Sequence, residues 1–149
     1  MKRENKIIVK LNDVILMNEV IEKIYTKAYE KNSNIKIKAL LKEKSIERCN
    51  FGKMLQKEIK KLDASVEDSI MSKRRYHLYM KSFNNLLQWE NNRELLNGIY
   101  KIELLCIEKY NELLKQMNLS LSLCRLLIKQ QDHVQYGLRL IKEELTQVA

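Results

Sequence analysis

The sequence predicts an all-α protein, a four-helix bundle whose long middle connection carries an extra short helix. Three observations lead there. Apolar residues recur at helical spacing over several long stretches. The chain has no proline and only three glycines, Gly52, Gly98 and Gly137, where a sheet protein would need turn residues in quantity. The polar breaks between the periodic stretches form two short links and one long one. A chain of 149 residues is one domain by length. It is long enough to bury roughly two-thirds of its unfolded surface without staples. Its 45% hydrophobic and 32% charged residues fit amphipathic helix rather than disorder.

The first helix is expected over about 7–31, with Leu11, Val14, Ile15, Ile21, Tyr25 and Ala28 along one stripe. The polar run Lys31–Asn34 is a short break of the kind that joins antiparallel neighbours. The second helix is expected over about 35–62, with Ile37, Leu40, Leu41, Phe51, Leu55, Ile59 and Leu62 inward. Gly52 lies inside it at a cost of about 1 kcal/mol against alanine, which predicts close packing at that point.

The crossover opens with DASVEDS, where Ser65 followed by Asp68 reads as a helix start. A shorter helix over about 66–88 then carries Ile70, Met71, Tyr76, Met80, Phe83, Leu86 and Leu87, and Asn91 and Asn92 end the segment. The third long helix is expected over about 93–116, with Leu96, Ile99, Ile102, Cys106, Tyr110, Leu113 and Met117 on one side. Asn118 marks a tight break. The fourth is expected over about 120–146, with Leu123, Leu126, Leu127, Val134, Leu140, Ile141 and Leu145 inward. Four long helices with two short links and one long middle crossover are the wiring of a ferritin-like bundle.

Four segments carry a family resemblance across almost the whole chain, Leu11 to Leu145. LNDVI, residues 11–15, is similar to an opening helix motif, and KEKSIERCNFGKMLQKEIKKL, residues 42–62, to a second-helix motif. In the latter an acid–arginine pair and a phenylalanine–small-residue pair precede a run of Glu and Lys. YHLYMKSFNNLL resembles an amphipathic middle helix, and IEKYNELL, residues 107–114, a third helix. Together, in this order, they resemble a bacterial ferritin-like four-helix-bundle family of unknown function, distantly related to ferritin and rubrerythrin. The family often has a glycine pair and a proline after its second helix, where this chain has LDASVED. The resemblance implies the fold and implies no established activity.

Ferritin-like di-iron sites use one Glu from each of two helices and a Glu-x-x-His pair from each of the other two. The polar residues near the inward stripes here are Asn18 and Glu22 on the first helix, Lys44 and Glu47 on the second, Glu103 on the third, and Gln130 with His133 on the fourth. Gln130 and His133 stand three apart where a ferritin has Glu and His. No Glu-x-x-His occurs, and the only histidines are His77 and His133. Lys44 would set an ammonium where a metal should bind. The expectation is therefore a buried polar layer of Asn18, Lys44, Glu47, Glu103, Gln130 and His133, in which Lys44 pairs with Glu47 or Glu103 and the rest complete a hydrogen-bond network. The alternative is a degenerate di-metal site of Glu22, Glu47, Glu103, Gln130 and His133 holding iron or another divalent metal.

The formal charge is +9, and Lys36–Lys61 concentrates it, with nine Lys or Arg against three Glu. Lys38, Lys42, Lys53, Lys57 and Lys60 project opposite the apolar stripe and read as a solvated face. A nucleic-acid groove would favour arginine and interleaved aromatics. The KRRYH run, residues 73–77, reads as helix surface. Three scattered cysteines, Cys49, Cys106 and Cys124, fit reduced thiols in a cytoplasm. Lys10, Asn12 and Asp13 interrupt any signal-peptide core, and no apolar run approaches the roughly 20 residues of a membrane helix.

No phosphate loop, CxxC pair or nucleophile motif is present. The expected function is a non-catalytic helical-bundle protein without a cofactor, acting through self-association, as a dimer in the first instance, or through a protein partner. A metal-binding or redox protein and weak nucleic-acid binding through the lysine face are the alternatives.

Overall fold

A computed structural model of the chain describes residues 3–62, 70–87 and 90–147. They form five helices and, among the described residues, no strand: α1 (Arg3–Lys31), α2 (Ile35–Lys61), α3 (Ile70–Leu86), α4 (Asn92–Leu114) and α5 (Leu121–Gln147). The all-α class follows the expectation. The helix start at Ser65 and Asp68 lies outside the described residues. Two boundaries need correction. The first helix begins at Arg3, about one turn before the expected residue 7. The third long helix ends at Leu114, not Gln116, so Met117 leaves the inward stripe and is 64% exposed.

Short polar side chains fix the helix starts. The Asn34 side-chain oxygen accepts the Ile37 N–H at 3.1 Å, and Asn91 accepts from Glu94 N–H at 2.8 Å. Ser120 Oγ accepts from Leu123 N–H at 3.2 Å. Each satisfies an amide that the first helical turn leaves without a partner inside the helix. Asn118 adopts φ 67°, the left-handed conformation asparagine tolerates better than most residues, and so turns the chain from α4 into α5.

Buried positions on the four long helices step alternately by three and four, the spacing of a coiled-coil seam. On α1 they are Leu11, Val14, Asn18, Ile21, Tyr25 and Ala28; on α2, Ile37, Leu41, Lys44, Arg48, Phe51 and Leu55. On α4 they are Leu96, Ile99, Glu103, Cys106, Tyr110 and Leu113; on α5, Leu123, Leu127, Gln130, Val134, Gly137 and Ile141. α1 buries a second stripe as well, with Met17, Val20 and Ile24.

The chain divides into two compact units, Ile8–Ser82 and Met1–Ile7 together with Phe83–Ala149. Within Ile8–Ser82, α1 and α2 run antiparallel. Lys38 Nζ donates to the Tyr29 carbonyl at 3.1 Å near the link, and Arg48 Nη1 donates to Asn18 Oδ1 at 3.3 Å further along. α3 lies against α1. Tyr79 Oη donates to Asp13 Oδ2 at 2.7 Å, and Arg75 Nε stands 3.8 Å from Asp13 Oδ1. The Lys23 ammonium stands 4.9 Å from the centre of the Tyr76 ring, and its pKa is raised, chiefly by a hydrogen bond with Tyr76.

Within the other unit, α4 and α5 are antiparallel. Tyr110 Oη donates to Gln130 Oε1 at 2.6 Å, and Gln131 Nε2 donates to Asn111 Oδ1 at 2.7 Å and to the Ile107 carbonyl at 3.3 Å. The end of α3 presses on α4 at Gly98, where a Cβ would lie 2.4 Å from the Leu86 carbonyl oxygen and 3.0 Å from Leu87 Cα. Only glycine fits there. Gly52 is the opposite case and corrects an expectation. Among the described residues nothing approaches its Cβ position within 4 Å, because it sits one residue off the seam that Phe51 occupies.

Candidate functional site: polar residues in the helix seams

The polar residues with a claim to chemistry stand in the middle turns of the seams. In the α1–α2 hairpin, Asn18 is fully buried. Its Nδ2 donates to the Val14 carbonyl one turn back at 3.0 Å, while its Oδ1 accepts from Arg48. Arg48 is also fully buried and extends its guanidinium toward the Phe51 ring, 5.5 Å from the ring centre. Lys44 is 4% exposed, one turn earlier on the same seam. Glu47 and Glu22 are half-buried beside the seams rather than in them. Burying two cations on one seam is costly unless polar groups meet them, and the Asn18 carbonyl oxygen is one group that does.

In the α4–α5 hairpin the buried polar residues are Glu103, Tyr110 and Gln130. Gln130 is 1% exposed and its carbonyl oxygen takes the Tyr110 hydroxyl proton. Glu103 Oε2 lies 4.0 Å from Cys106 Sγ, the buried thiol one turn on. His133 requires a correction. It is exposed, because the seam steps four residues from Gln130 to Val134 and leaves position 133 behind it. His133 instead lines a shallow depression on the outer face of α5 with Arg125, Ile128, Lys129, Asp132 and Tyr136.

These residues do not fit a ferritin-type di-metal centre. Lys44 and Arg48 place two cations at inward positions of α2, where such a centre needs oxygen donors. The Gln130 oxygen is engaged by Tyr110, and His133 faces outward. Among the described residues, no three His, Cys, Asp or Glu side chains come together as metal donors.

Arg48 is the residue that reading by type missed. It falls within the basic run of residues 36–61, yet it stands four residues after Lys44 and three before Phe51, in step with the seam. The lysines of that face divide. Lys42, Lys53, Lys57 and Lys60 are exposed, whereas Lys38 is half-buried, its ammonium 4.2 Å from the centre of the Tyr29 ring. Cys49 and Cys124 are half-buried free thiols. No described helix is long and apolar enough to cross a membrane. Neither a scan against protein-family models nor a search of curated proteins gave a match.

Proposed function

We propose that the chain is a ferritin-like helical-bundle protein that has replaced metal donors with a structural polar network and acts without catalysis, through self-association. The observation that carries this reading is a contrast on α5. Its inward polar residue, Gln130, is committed to holding α4, while its outer face leaves Leu121, Ile128 and Tyr136 64%, 47% and 55% exposed. Three large apolar side chains on one face of one helix are more than the scatter of single exposed residues normal on protein surfaces. The position of the seam cations supports the non-metal half of the reading. The resemblance to the ferritin-like family supplies the bundle, and the reduced cysteines suit a cytoplasmic setting.

Sedimentation velocity and native mass measurement over a range of protein concentrations test the reading. A dimer that grows in with concentration is the expected result. A strict monomer at every concentration would overturn it. Metal analysis after anaerobic loading with iron is expected to give no stoichiometric metal, and one or two bound ions per chain would restore the di-metal alternative.

A further inference from the structure

We propose that two copies of the chain pair through the outer face of α5, antiparallel about a two-fold axis passing between Ile128 and Lys129. The proposal rests on the self-association reading and names the surface that performs it.

The inward seam of α5 consumes Leu123, Leu127, Gln130, Val134, Gly137 and Ile141. Directly opposite runs a second stripe: Leu121, Arg125, Ile128, Asp132, Tyr136 and Arg139, all exposed. Its spacing is again close to alternating fours and threes, the period at which one helix can lie along another. Its apolar members are separated by charges of both signs.

A two-fold interface uses the same patch on both copies, so the patch must complement its own reverse. This stripe does so in one register. With the axis between Ile128 and Lys129, Arg125 falls opposite Asp132 of the partner subunit, and Asp132 opposite Arg125 of the partner subunit. Leu121 falls opposite Tyr136 of the partner subunit, and Tyr136 opposite Leu121. The two Ile128 side chains meet beside the axis. Lys129 lies toward one side of the stripe, where its stem can lie along the contact and its ammonium stay in water. Two symmetric ion pairs then flank an apolar centre, and apolar contacts close both ends. Matching Asp132 with Arg139 instead slides Leu121 beyond the end of the contact. A single helix pair is a small interface, at or below about 1,200 Å² in total, so the dimer is concentration-dependent.

The test is a charge-reversal series on the full chain, followed by sedimentation velocity and native mass measurement. Arg125→Glu sets two carboxylates against each other at both ends of the two-fold, and Asp132→Arg sets two guanidinium groups there. Each single variant is expected to weaken the dimer by on the order of 10–100-fold. The double variant Arg125→Glu/Asp132→Arg is expected to dimerise again. An equimolar mixture of the two single variants is expected to form the heterodimer, because the exchanged charges match across chains. All substitutions are at exposed positions, and circular dichroism should show unchanged helix content. A wild-type dimer indifferent to both single variants would overturn this surface and leave self-association standing. Single variants that stay monomeric when mixed would overturn the antiparallel register. A wild-type chain that is monomeric throughout would overturn both this proposal and the reading beneath it.

Discussion

The two hairpins solve one packing problem with different chemistry. Both carry polar side chains in the middle turns of an otherwise apolar seam. In α4–α5 the contact is neutral, a tyrosine hydroxyl on a glutamine oxygen at 2.6 Å. In α1–α2 it is charged, a buried guanidinium on an asparagine oxygen at 3.3 Å, with a second buried cation one turn away. A neutral hydrogen bond loses little water on burial and contributes about 1 kcal/mol net. A buried cation has a desolvation penalty of several kcal/mol that its partners must offset. The glycines differ in the same pair of regions: Gly98 sits under backbone, and Gly52 has open space. One hairpin is joined by a neutral hydrogen bond beside the buried Glu103 carboxyl and is pressed by backbone at its glycine, while the other buries two cations on one helix and, among the described residues, is open at its glycine.

Substitutions at four positions would sharpen or break that comparison, each read by urea or thermal denaturation followed by circular dichroism. The largest effect is expected at Arg48. Arg48→Ala removes one of the largest fully buried side chains and leaves the Asn18 oxygen without that donor, a loss of about 3–5 kcal/mol. Arg48→Met keeps most of the volume and should cost clearly less; equal losses would mean the charge, not the packing, dominates. Gly98→Ala comes next, at about 1–3 kcal/mol, because the atoms it meets are backbone and cannot rotate away. Tyr110→Phe should cost about 1–2 kcal/mol by removing the donor to Gln130. Gly52→Ala should stabilise by about 0.5–1 kcal/mol, the ordinary helix gain over glycine with nothing to obstruct it. A destabilising Gly52→Ala would remove the contrast between the two glycines.

Much of the fold was legible because helices declare themselves through period and punctuation. Asn34, Asn91 and Asn118 stand at or beside helix ends, and the long apolar stripes needed only spacing to be read. Asn18, Lys44, Glu103 and Gln130 were visible as polar residues in those stripes, and all four are buried. What escaped did so for specific reasons. Arg48 was hidden by its residue type among eight other basic residues, although its position in the three–four alternation already placed it inside. His133 was drawn inward by analogy with Glu-x-x-His, when the step of four from Gln130 belongs to Val134. A glycine in a helix carries no mark of whether a neighbour presses on it, so Gly52 and Gly98 could not be told apart before the packing around them was known. Trp89, in the crossover beyond Leu87, lies outside the described residues.

α5 holds two periodic faces in one helix, offset by half a turn. A helix advances about 100° per residue, so deleting one residue between Leu127 and Asp132 would turn everything beyond it by more than a quarter of a circle. Val134 and Ile141 would swing out of the core, and Asp132 would leave the outer stripe. A substitution here can be absorbed one position at a time, but a change in length is read by both faces at once. The Lys115–Ser120 link has no such frame to keep, and it is there that gain and loss of residues should accumulate among descendants of this chain.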